Sequence, residues 1–284
     1  MSVALVSDTC HYLPADLAAQ HGITSVSLYV QRNGGAARES AIHDYGSYFE
    51  SLTTAAELPT TSQPSIGDFL AVYEPLLQAG HEVLSIHLSG GLSGTVRAAE
   101  QARAQLGEAA FRVTVVDSAT ACGAQGLMLM AAAAAIRAGG DAAQAAARAH
   151  QAQDRLGFLF ALDSLEYLRR GGRIGGAQAW IGSALQIKPI LSVKSEVTAV
   201  ERVRTTRRAF ERLVRLMHEL KDAGCDAWVI QHTRAPEQAA LLVQRGREVF
   251  ETEPLFVSEI GPVIGTHIGP GLLGVGAVPS SLLA

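Results

Sequence analysis

Short apolar runs alternate with single helix-like runs along nearly the whole chain, and this order constrains the fold more than any other feature. Strands separated by one helix each favour a mainly parallel sheet, so the fold class is α/β. In the first half the pattern predicts strands at Val3–Val6, Ser25–Val30, Val83–Leu88 and Arg112–Val116. Helices are expected over Pro14–Gln20, Asp44–Leu52, Ile66–Gln78, Thr95–Leu106, Gly123–Ile136 and Asp141–Asp154, with a loop at Leu58–Ser65. After Asp154 the texture changes. A strand at Leu156–Ala161 leads into an Arg/Gly stretch, and Ile190–Val193 and Val197–Val203 flank a short polar turn. Helices at Thr206–Ala223 and Pro236–Phe250 then alternate with strands at Ala227–His232, Leu255–Ile260, Val263–His267 and Gly274–Val278. We set a boundary near Gln153, giving an N-terminal α/β domain of residues 1–153 and a C-terminal α/β domain of residues 154–284. The latter is expected to hold a smaller, mixed sheet with helices on one face.

A length of 284 residues exceeds what one core usually supports, which suits two domains or one large α/β domain. With 18% charged residues and a net charge of −4, the surface is no electrostatic match for nucleic acid. Cys10, Cys122 and Cys225 lie far apart with no C-x-x-C pair, against a disulfide framework or a zinc site. A cytoplasmic location is expected, since Asp8 follows within a few residues of the start and no basic segment precedes a long apolar one. Ala119–Ile136 is the one stretch resembling a membrane span, but its Ala, Gly and Gln content and its stop at Arg137 suit a tightly packed core helix.

Ligands gather outside the carboxyl ends of parallel strands, where Ser7, Ser89 and Asp117 fall. The loop Ser89-Gly90-Gly91-Leu92-Ser93-Gly94-Thr95 stands between a strand and a helix. Its glycines permit close approach of a ligand, and the free N–H groups of the opening helix suit an anion; the same residues also serve a plain tight turn. A second hydroxyl-rich loop, Thr60-Thr61-Ser62-Gln63-Pro64-Ser65, contains a capping-box start in Ser65 and Asp68. Capping does not require Thr61, Ser62 and Gln63, which serve either a ligand or an ordinary turn. Asp8 reads as a cap or as support for neighbouring hydroxyls rather than as a contact to an anion. Arg169, Arg170 and Arg173 crowd around Gly171-Gly172; guanidinium suits carboxylate or phosphate, and a solvated turn is the alternative. Arg202, Arg204, Arg207 and Arg208 could extend that basic face. His267 stands among glycines and apolar residues, either as a structural group or as a donor to a ligand.

Several signatures are excluded. Gly269-Pro270-Gly271-Leu272-Leu273-Gly274 spells a dinucleotide fingerprint with no room after it for the rest of that unit, and Gly94 lacks the following Lys of an ATP loop. No H-E-x-x-H exists, and the nine histidines show no metal-ligand spacing. Gly91-Leu92-Ser93-Gly94-Thr95 approaches a hydrolase elbow without its last glycine, and Ser93, Asp117 and His267 follow the hydrolase order. A serine esterase is therefore the enzyme alternative.

Taken together, Ser7-Asp8-Thr9, Thr61–Ser65, Ser89–Thr95, Val116-Asp117-Ser118, Leu165–Ile174 and the His267 segment resemble the DegV family across nearly the whole chain. The resemblance implies a non-catalytic protein that binds a long-chain fatty acid, with the acyl chain in an apolar tunnel of the C-terminal domain and no other cofactor. It assigns the carboxylate to Thr61, Ser62, Ser93 and His267, with Gly91, Gly94 and Asp8 supporting the loops. It also implies a partner, the ATP-binding subunit of a bacterial fatty acid kinase, which phosphorylates the bound acid. Arg169, Arg170, Arg173 and Arg202 would meet that partner or the acyl phosphate, and transient contact with a membrane surface is compatible with the role. Phe158, Phe160, Leu162, Ile181, Leu185 and Ile190 are the candidate tunnel wall.

Overall fold

The structure, a computed structural model, describes residues 2–32, 34–181 and 187–284. The first half runs β1 (Val3–Asp8), α1 (Ala15–Gln20), β2 (Ile23–Val26), β3 (Tyr29–Arg32), β4 (Gly35–Arg38), α2 (Tyr45–Thr54), β5 (Thr60–Ser62), α3 (Ile66–Gln78), β6 (Glu82–His87), α4 (Thr95–Gln105), β7 (Val113–Asp117), α5 (Cys122–Arg137) and α6 (Ala142–Arg155). The second half adds β8 (Gly157–Ala161), α7 (Glu166–Arg170), β9 (Lys188–Lys194), β10 (Glu196–Val203), α8 (Thr206–Asp222), β11 (Ala227–His232), α9 (Pro236–Phe250), β12 (Phe256–Glu259), α10 (Pro262–Ile268) and β13 (Leu273–Val278).

The fold class is α/β, with two principal sheets. The first is parallel throughout, in the order β2-β1-β6-β7, and the second is mixed, in the order β10-β9-β8-β13-β11-β12. Within the second, β11 and β12 are parallel and the other pairings are antiparallel. Four features differ from the sequence reading. The second sheet is the larger, with six strands to four. Both of its faces are covered, because Leu159 and Ala161 of β8 face α8 and α9 while Phe160 faces the opposite core with α10. The run Ser25–Val30 breaks into β2 and β3, which join different sheets, and the expected loop Leu58–Ser65 contains β5; β4, β3 and β5 make a third, antiparallel sheet. Finally, Val263–His267 is helical. Its apolar residues suit a strand, but extended Gly261 followed by Pro262 at the first helical position starts α10, where the missing proline N–H costs nothing.

Helix α5 sets the spacing between the two main sheets. Every residue from Gly123 to Ala135 is buried. Its side chains join one core with Leu84, Ile86 and Val116 of the first sheet and Val229, Phe256 and Val278 of the second. A helix covered on both sides has no polar face to present, which accounts for its uniform composition. Alanine at the five consecutive positions between Met130 and Ile136 would otherwise be wasteful of apolar area; here small side chains let the sheets close on it. Among the described residues no helix is long and apolar enough to cross a membrane. Ala132, fully buried in α5, tests this packing: Ala132→Leu is expected to lower unfolding free energy by about 1–3 kcal/mol. A urea melt indistinguishable from that of the parent would show that the layer has slack.

Candidate functional site

The two hydroxyl-rich loops converge. Gly94 precedes α4, and a Cβ there would stand 3.0 Å from the Gln63 amide, so the second loop lies directly against the first. The glycine loop is also gripped from the other half of the chain. At the β9–β10 turn, Ser195 adopts φ 65° and its carbonyl accepts the Ser89 hydroxyl at 2.5 Å, while its N–H donates to the Ala119 carbonyl at 2.7 Å. A Cβ on Gly91 would fall 2.5 Å from that same Ser195 oxygen, so only glycine fits. Asp117 receives the Gly90 N–H at 3.1 Å and the Ala119 N–H at 2.8 Å, holding the loop from below. Asp8 is fully buried and receives the Leu88 N–H at 2.8 Å and the Cys10 N–H at 2.9 Å, with the His87 ring at 3.0 Å. It braces the strand ends below the loop and takes no part in the cavity wall.

Thr61, Ser62, Ser93 and His267 all open onto one cavity, whose empty space, counted with its open mouth, is about 940 Å³. Gln63 and Arg173 complete the polar end, and the remaining wall is mainly apolar, including Leu28, Leu88, Phe160, Val193, Val197 and Ile260. Both halves of the chain contribute. The Thr61 hydroxyl lies 2.7 Å from His267 Nε2, and the Ser93 hydroxyl 2.8 Å from that of Thr95. His267 Nδ1 is buried without a partner and faces Gly171, where a Cβ would stand 2.3 Å away. In the bond between Nε2 and the Thr61 hydroxyl either atom can donate, depending on the tautomer of the ring. Burial, helped by the nearby Arg173 guanidinium, pushes the His267 pKa down to about 4, and the ring is neutral at pH 7.

The helix bearing His267 is tied down by a residue that sequence reasoning missed. Glu39 is 3% exposed; it receives the Thr9 hydroxyl at 2.5 Å, the Tyr12 hydroxyl at 2.7 Å and the Val263 N–H at 2.8 Å, while the Tyr12 oxygen accepts the Ile264 N–H at 3.1 Å. Burial raises the Glu39 pKa against those bonds. Nothing in Arg38-Glu39-Ser40 distinguishes this carboxylate from a surface charge, so no sequence signal could have found it.

The arginines separate. Arg173 lines the cavity and donates to the Gly171 and Leu92 carbonyls at 2.7 and 3.4 Å. Together with Arg170, Thr61 and His267 it also lines an outer groove that adjoins the polar end. Arg169 is paired to Glu166 at 2.6 Å, and the Arg202 guanidinium lies 5.4 Å from the Trp180 ring centre; neither borders the cavity. Of the expected tunnel wall, Phe158 and Phe160 line the cavity. Leu162 does not, Ile190 faces the α8 core, and Ile181 is exposed, while Leu185 lies outside the described residues. Strand alternation explains Ile190, whose neighbour Leu191 points to the cavity side. The hydrolase arrangement is not assembled: Ser93 bonds Thr95, His267 bonds Thr61, and Asp117 is spent on backbone N–H groups.

Two outcomes test this site. An unfolded imidazole titrates near 6.5, whereas His267 and His11 are held to about 4 when folded. The unfolded chain therefore takes up protons first as pH falls, and stability should drop between pH 6.5 and 4. Denaturant melts across that window should show a shallower drop in His267→Gln, and an unchanged slope would contradict the buried neutral ring. Glu39→Gln turns a donor toward the Val263 N–H or the Tyr12 hydroxyl, and is expected to cost about 1–3 kcal/mol in the same assay.

Comparison with known proteins agrees with this architecture. A family model described as "Uncharacterised protein, DegV family" matches residues 2–280. The chain is 36% identical to the protein DegV of Bacillus subtilis, covering 97% of this chain and 98% of that one. It is 38% identical to a DegV domain-containing protein of Streptomyces coelicolor, with coverage of 96% and 97%. The solved structure of a DegV family protein from Thermus thermophilus, described for its fatty acid binding, superposes with a TM-score of 0.89 at 34% identity, covering 98% of this chain and all of that one. The structure of Bacillus subtilis DegV, described as a fatty acid binding protein, gives a TM-score of 0.87 at 33% identity, with coverage of 98% and 99%.

Proposed function

The chain belongs to the DegV family, and we propose that it binds a long-chain fatty acid and presents the carboxylate to a separate ATP-dependent kinase subunit for acyl-phosphate formation. The observation that carries this reading is the apolar cavity ending at Thr61, Ser62, Ser93 and His267. Fatty acid binding by the relatives from Thermus thermophilus and Bacillus subtilis supports it. Each buried methylene contributes about 0.8 kcal/mol, so the tail supplies most of the affinity and the head group sets orientation. The proposed lipid site draws on both sides of the division at residue 153, with β8–β10, α7 and α10 providing its C-terminal wall.

Hydroxyls and a neutral imidazole can hold a carboxylate without an ion pair, which leaves one oxygen nucleophilic. In the proposed step that oxygen bonds to the γ-phosphorus of ATP supplied by the partner. The bond from that phosphorus to the bridging oxygen breaks, and ADP leaves. Arg170 and Arg173, in the outer groove beside Thr61 and His267, would face the charge gathered on the transferred phosphoryl group. Arg169 and Arg202 are assigned to the partner contact. The proposed setting is the cytoplasm, with transient membrane contact for exchange of the acid.

Native mass spectrometry of the purified protein should detect a co-purifying fatty acid, and added fatty acid should raise its melting temperature. Absence of both would overturn the reading. With an ATP-dependent kinase subunit of this kind, a Thr61→Val, Ser93→Ala double variant should form acyl phosphate at least tenfold more slowly while still taking up lipid, because the apolar contribution remains. Equal loss of both would remove the assigned head-group roles. Hydrolysis of short nitrophenyl esters that Ser93→Ala abolishes would favour the esterase instead.

A further inference from the structure

We infer that Phe158 forms the inner stop of the cavity and thereby sets the longest acyl chain the protein accepts. The inference rests on the fatty acid reading of the site and adds to it a determinant of chain length. Phe158 lines the cavity, yet it also packs against the core that α5 shares with the two main sheets. Among the described residues it is the only one assigned to the edges of both cores, so its ring is the partition between open space and solid packing.

The ring rests on a shelf of glycines. In the β8–β13 register Phe158 is opposite Gly276 and Phe160 opposite Gly274. A Cβ on Gly276 would fall 2.2 Å from the Phe158 ring, and one on Gly274 would stand 3.2 Å from it. On the far side, a Cβ on Gly123 in the first turn of α5 would be 3.3 Å from the ring edge. Gln231 cannot swing into the space, because its side chain accepts the Gly123 N–H and donates to the Ser258 hydroxyl at 3.0 Å. Three neighbours without side chains, and a fourth that is pinned, have nothing with which to refill the volume of a removed ring. Trimming position 158 therefore lengthens the cavity instead of letting it collapse.

The test is the affinity of the parent, Phe158→Ala and Phe158→Leu for saturated acids of twelve to twenty carbons, measured by calorimetry. Affinity should rise roughly fourfold per methylene until the chain meets the stop. In Phe158→Ala the limit should move to longer acids, raising the ratio of twenty-carbon to sixteen-carbon affinity at least tenfold. Phe158→Leu should move it less, and this variant decides the matter if the alanine protein fails to fold. A folded variant that weakens all acids alike, with the parent's length preference retained, would overturn the stop. A parent protein that binds no acid of any length would instead overturn the fatty acid reading beneath it.

Discussion

The double burial of α5 is the constraint on which the remaining architecture depends. A helix with large side chains could pack well against one sheet and hold the other at a distance; one made of Ala, Gly and a few Leu and Met lets both sheets approach. Once they are close, the loops at the ends of β6 and β7 meet the β9–β10 turn, and Ser195 can reach Ser89 and Ala119. The cavity is the space left where those ends and turns cannot pack against one another. Its existence follows from layer spacing, and its polarity from the few hydroxyls and the imidazole that border it.

Polar atoms buried around the site are almost all satisfied, and the bonds that satisfy them also aim it. Asp8 fixes the Leu88 N–H just before the glycine loop, and Glu39 fixes the Val263 N–H just before His267. Both carboxylates lie outside the cavity wall, and each holds the base of an element whose tip reaches it. The exceptions are His267 Nδ1 and, beside Asp8, Gln125 Oε1.

Much of the fold was legible where local chemistry marks an end. The bounds of α3, α9 and β11 coincide with the sequence reading: Ser65 and Asp68 form the expected capping box, and Pro236 begins α9. Thr61, Ser62, Ser93 and His267 were legible as a group through hydroxyl-rich loops and a resemblance in their order, and the structure brings them to one cavity. Elements set by tertiary contact were not. The stretch that forms α10 has strand-like composition and is helical because Gly261 and Pro262 start a turn that Glu39 then holds. Ile190 is as apolar as Phe158 and Phe160, and only strand register decides which side each faces.

The cavity border runs from Leu28 to Leu272 in the chain and draws on strands of the second and third sheets and on the segments that follow β6 and β7. No contiguous fragment holds enough of it to grip a guest. An occupant would touch segments that otherwise meet only through backbone and core packing, acting as a shared strut between the halves. Loading would then steady the molecule as a whole, and release would loosen it as a whole.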